Sequence, residues 1–67
     1  MLPKEVIEHF TKDSEEEWYI VEYMVSSILP KKTALEEYNH MNMKTVDNVK
    51  LYQVKGNQPI LEKEKGL

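Results

Sequence analysis

A chain of 67 residues with no cysteine must hold its fold without a disulfide or a thiolate-bound zinc ion. That constraint is tight because a domain this small buries only about 60% of the surface its unfolded chain exposes. A single core of this size supplies about 3–5 kcal/mol of net stability. The other sources are well-formed local structure and a partner, either a second copy of the chain or another protein. Length allows one domain over residues 1–67, not two. No apolar run approaches the ~18–20 residues that span a bilayer, and the N-terminus lacks the apolar core of a signal peptide. The expectation is a cytoplasmic protein with no membrane contact.

The first helical signal is Leu2-Pro3-Lys4-Glu5. Proline suits a first helical turn, and Val6, Ile7 and Phe10 then share one face. Three apolar residues are a marginal stripe, so this helix forms only by docking. Residues 11–13 read as a polar break.

Ser14-Glu15-Glu16-Glu17 has the spacing of a capping box, and its three acids complement a helix dipole. On a helical wheel Trp18, Ile20, Val21, Met24, Val25, Ile28 and Leu29 fill one half. Tyr19, Glu22, Tyr23, Ser26 and Ser27 fill the other. This pattern predicts a central amphipathic helix of about four turns, ended by Pro30. A strand over 18–25 remains open, because β-branched and aromatic residues are dense there. After a tight connection at Pro30-Lys31-Lys32, Thr33 and Glu36 repeat the capping spacing, and Ala34, Leu35, Tyr38 and Met41 continue a helix to about Asn42.

Beyond Met43 the period changes. Val49–Val54 is rich in strand formers, and Gly56-Asn57 is a two-residue turn of the glycine-first type. The return strand runs from Gln58 to about Lys63, with Tyr52 opposite Leu61 and Gln53 opposite Ile60. Pro59 marks an edge strand, and residues 62–67 are expected to fray. The predicted fold class is α+β: a small domain of two to three short helices followed by a C-terminal β-hairpin.

Catalytic chemistry finds little support. No nucleophile sits in a recognisable constellation, and two glycines cannot build a phosphate loop. Glu5 with His9 and Glu36 with His40 are spaced to face each other on a helix, but they read as surface pairs rather than metal ligands. No enzyme activity, cofactor or metal is expected.

Charge bears on the choice of partner. The net charge is −3, and all nine cations are lysines, so the chain has no guanidinium fork for phosphate or guanine. Residues 1–22 carry seven acids and two lysines, whereas residues 23–67 carry seven lysines and five acids. The favoured function is a non-catalytic protein-interaction module: a small regulator, inhibitor or adaptor that binds through Glu15, Glu16, Tyr19, Glu22 and Tyr23 on the polar side of the central helix. Tyrosine pairs on a polar face suit an interface, because they bury a large area at low entropic cost. Surplus apolar surface also points to a homodimer. The alternative is a winged-helix-like DNA binder, with Lys31, Lys32, Thr33, Asn39, His40, Lys44, Lys50 and Lys55 reaching bases and phosphates. Glu36 and Glu37 in the reading helix, the negative net charge and the missing arginine weigh against it.

Overall fold

A computed structural model describes residues 2–41 and 47–66. In chain order the elements are helix α1 (Lys4–Thr11), strands β1 (Trp18–Glu22) and β2 (Ser26–Pro30), helix α2 (Lys31–His40), and strands β3 (Asn48–Lys55) and β4 (Gln58–Gly66). The four strands form one antiparallel sheet in the order β2-β1-β3-β4. The α+β class is as expected.

The central helix is not there. Residues 18–30 form a β-hairpin instead, and the reason lies in its position. β1 is an inner strand whose alternate side chains enter two different cores. Tyr19 and Val21 join Ala34, Tyr38, Val49 and Leu51 beneath α2. Trp18 and Ile20 face the other side of the sheet, where the Phe10 ring of α1 lies 5.8 Å from that of Trp18. A strand covered on both faces reads as an unbroken apolar run, which cannot be told from a buried helix by period. Ser14 does accept hydrogen bonds, but not as a helix cap. Its hydroxyl oxygen takes the Glu16 amide at 3.2 Å and the Trp18 indole N–H at 2.9 Å. Asp13, in the left-handed conformation at φ 61°, turns the chain out of α1.

The two helices therefore sandwich the sheet. α2 packs over β1 and its neighbours β2 and β3. It begins at Lys31 directly after β2, two residues before the expected cap at Thr33, and Pro30 precedes it with no side-chain cap. Asn42, the expected helix end, and Met43 lie outside the described residues. α1 begins after Pro3, whose carbonyl accepts the amides of Val6 and Ile7. Its buried residue is Ile7, and the Thr11 hydroxyl meets the Asn57 side-chain amide at 2.9 Å. α1 is thus tied to the far end of the β3–β4 hairpin.

That hairpin keeps the expected register, with Tyr52 opposite Leu61 and Gln53 opposite Ile60. Its turn differs in detail: Gly56 and Asn57 both have positive φ, at 56° and 66°, so it is type I′ and not the glycine-first type. Residues 62–66 do not fray. A bulge between Leu51 and Tyr52 absorbs Glu62, after which Lys63 pairs with Leu51 and Lys65 with Val49. Lys65 Nζ donates to the Tyr38 carbonyl at 2.6 Å and stands 4.6 Å from the Tyr38 ring centre. The Tyr38 carbonyl also accepts the Met41 amide at 3.4 Å, and a cation at the C-terminal end of α2 adds a charge-assisted bond there and complements the helix dipole. Lys65→Met keeps the apolar stem and removes the charge. The expected loss is about 1–2 kcal/mol of stability, seen as a lower urea midpoint with an unchanged slope; an unchanged midpoint would mean that β4 does not anchor α2.

Candidate functional site: an apolar hairpin tip

The β1–β2 connection breaks the usual chemistry of turns. Glu22 pairs with Ser26, and the Tyr23 amide donates to the Val25 carbonyl at 2.9 Å, so the tip is Tyr23-Met24-Val25. Hairpin tips favour Gly, Asn, Asp and Pro because those residues satisfy tight backbone geometry. None occurs here, and the left-handed positions among the described residues are elsewhere, at Asp13, Gly56 and Asn57. An apolar tip is therefore not demanded by the backbone. Met24 is 82% exposed and Val25 57% exposed.

Both flanks of the tip are held. Tyr23 packs against the α2-side core. On the other face the Glu22 carboxylate accepts the Ser26 hydroxyl at 3.0 Å and the Tyr52 hydroxyl at 3.4 Å. Met24 thus projects from a supported base. Beside it an open depression of about 310 Å³ is lined by Glu22, Tyr23, Met24, Asp47, Asn48 and Lys50. Lys50 lies between Glu22 on β1 and Glu64 on β4 in the strand register, so carboxylates dominate this end of the sheet.

The expected contact residues do not form one face. Glu15 and Glu16 lie exposed in the loop before β1, whereas Glu22 and Tyr23 stand at its far end, roughly 17 Å away for a five-residue strand. Tyr19 is interior at 3% exposure and is not available to a partner. Of the five, Glu22 and Tyr23 belong to the tip. Met24 and Val25 were missed, because the helical wheel assigns both to its apolar half; the absence of any turn residue left no signal that the chain reverses there.

The residues of the DNA-binding alternative are also dispersed. Lys31, Lys32, Thr33, Asn39 and His40 are exposed on α2, but Lys31 Nζ is paired with the Glu17 carboxylate at 3.1 Å. Lys50 belongs to the opposite face of the sheet from α2, Lys55 stands next to the β3–β4 turn, and Lys44 lies outside the described residues. The helix–turn–helix unit which that reading needs is replaced by the β1–β2 hairpin leading straight into α2. The two Glu–His pairs sit on helices that cover opposite faces, and no group of three His, Asp or Glu side chains suited to a metal ion occurs among the described residues. Nor is any helix among them long and apolar enough to cross a membrane. No family model matches the chain, and no curated protein or solved structure matches it.

Proposed function

We propose that this protein is a non-catalytic interaction module, a small regulator, inhibitor or adaptor, that engages a protein target through the Tyr23-Met24-Val25 tip. The observation that carries the reading is the 82% exposure of Met24 at a turn whose geometry does not ask for an apolar residue. Uncompensated apolar side chains on a small domain mark interaction surfaces, and methionine adapts to an irregular pocket at small entropic and steric cost. Asp47 beside the tip suits a target whose apolar pocket has a lysine or arginine rim.

The test is capture from the source cell with the full chain as bait. Met24→Asp with Val25→Asp should leave the far-ultraviolet circular dichroism unchanged, because both side chains lie outside the cores. Loss of a tip anchor is worth about 2 kcal/mol or more, so a target identified with the wild type should bind the variant at least about thirtyfold more weakly. Equal binding by a folded variant would overturn the assignment of the tip.

A further inference from the structure

The two outer strands of the sheet are built differently, and the difference selects one of them for pairing. β4 is guarded in the ways natural edges are. It carries Pro59, a bulge at Glu62 and the alternating charges Glu62-Lys63-Glu64-Lys65. In a continuous sheet with a twofold axis perpendicular to it, each residue faces one of the same alternation class. Registers that lay the charged run 62–65 of β4 on itself would therefore set glutamate against glutamate or lysine against lysine. β2 shares only the proline, at its last position, Pro30. Its sequence is Ser26-Ser27-Ile28-Leu29-Pro30, with no charge and no bulge.

Two backbone bonds fix the hydrogen-bond phase of β2. The Lys31 amide donates to the Glu17 carbonyl at 3.0 Å and the Tyr23 amide to the Val25 carbonyl at 2.9 Å. These pairs continue the register of Trp18–Glu22 with Ser26–Pro30 at either end. In an antiparallel ladder bonded pairs alternate, so Ser27 and Leu29 turn their backbone groups toward β1, and Ser26, Ile28 and Pro30 turn theirs to the outer edge. Pro30 has no N–H, so the ladder to β1 is complete and the outer edge offers two amides, Ser26 and Ile28, and three carbonyls.

We infer that β2 pairs with β2 of a second copy, antiparallel and centred on Ile28, to make an eight-stranded sheet. In this register Ile28 of each copy donates to and accepts from Ile28 of the other, and each Ser26 amide donates to the Pro30 carbonyl of the second copy, which returns no bond, for four backbone bonds in all. Ser27 faces Leu29. Every facing position is uncharged. Joining β2 to β4 instead would be head-to-tail and would not close. α2 lies over β1, one strand in from the edge, so the two α2 helices stand about three strand spacings apart, ~14 Å. Packed helices approach to about 8–10 Å, so this spacing leaves room for both. The two tips point to opposite ends of the joined β2 strands and stay open, so this inference does not depend on the function assigned to the tip.

A five-residue ladder is a small interface, and the dimer is accordingly concentration-dependent. Sedimentation equilibrium of the full chain from about 10 µM to 1 mM should show the mass rising from 8.0 kDa toward twice that value. Ile28→Lys and Ile28→Glu should each be monomeric, and an equimolar mixture should restore the dimer, because position 28 faces itself. Backbone amide exchange on the unaltered protein gives a second readout: the Ser26 and Ile28 amides should become protected as concentration rises. A wild-type mass that stays at 8.0 kDa throughout, a folded Ile28→Lys that still dimerises, or concentration-dependent protection confined to β4 would each overturn the inference.

Discussion

Tyr19→Ala is expected to unfold the protein at room temperature. The Tyr19 side chain is 3% exposed and packs with Val21, Ala34, Tyr38, Val49 and Leu51 between the sheet and α2. Truncating a buried aromatic side chain costs about 3–5 kcal/mol, which matches the whole net stability of about 3–5 kcal/mol that a core this small supplies. With no disulfide to limit the unfolded chain, nothing offsets the loss. Far-ultraviolet circular dichroism should show loss of the sheet and helix signal. Tyr23→Ala, at the half-buried rim of the same core, should remain folded. A Tyr19→Ala variant melting within a few degrees of the wild type would contradict the interior placement and return Tyr19 to the candidate surface.

Alkaline pH should produce the second large effect. In an unfolded chain tyrosine ionises near pH 10. Burial, before any other cause, raises the pKa of Tyr19, Tyr38 and Tyr52, and the carboxylates of Glu62, Glu64 and Glu22 respectively push in the same direction. Above pH 10 the folded state therefore holds more protons than the unfolded state. Stability from these groups is complete below pH 10 and falls as the pH rises through their folded-state values. Each tyrosine that is ionised only in the unfolded chain steepens the loss by about 1.4 kcal/mol per pH unit. Tyr19 and Tyr38 both lie in the α2-side core, so the sheet and α2 should come apart as the pH rises above 10 and these hydroxyls are drawn into ionisation. Phenolate absorbance should rise together with the loss of circular dichroism. A gradual rise centred near pH 10 with the sheet intact would show that these hydroxyls are solvated.

Legibility along the chain follows how local the determining forces are. The β3–β4 hairpin could be read to the residue pair from Tyr52 to Leu61, because a two-residue turn at Gly56-Asn57 sets the register next to it, whereas the bulge at Glu62 and the pairing of residues 63–66 left no local signal. α1 was also legible, as Pro3 opens it and Val6, Ile7 and Phe10 mark its face. The β1–β2 hairpin was not. Ser14 and Glu17 imitate a capping box, Trp18–Val21 is apolar without alternation, and the reversal at Tyr23–Val25 uses no turn residue. The false capping box and the missing turn residue favour a helix, and the apolar run, dense in β-branched and aromatic residues, suits helix and strand alike. The candidate site failed with it, since Glu15, Glu16, Tyr19, Glu22 and Tyr23 share a face only on that helix.

The absence of cysteine by itself determined that no disulfide or thiolate-bound metal holds this fold. The sequence also determined the α+β class, the C-terminal hairpin and its pairing. Only the tertiary structure decided that residues 18–30 are strands, because that outcome requires β3 and two helices to cover β1 on an edge and on both faces at once. The same packing buried Tyr19, exposed Met24 and left β2 as an uncharged outer strand. These are properties of position in the sheet, which a run of residues does not carry until its neighbours are in place.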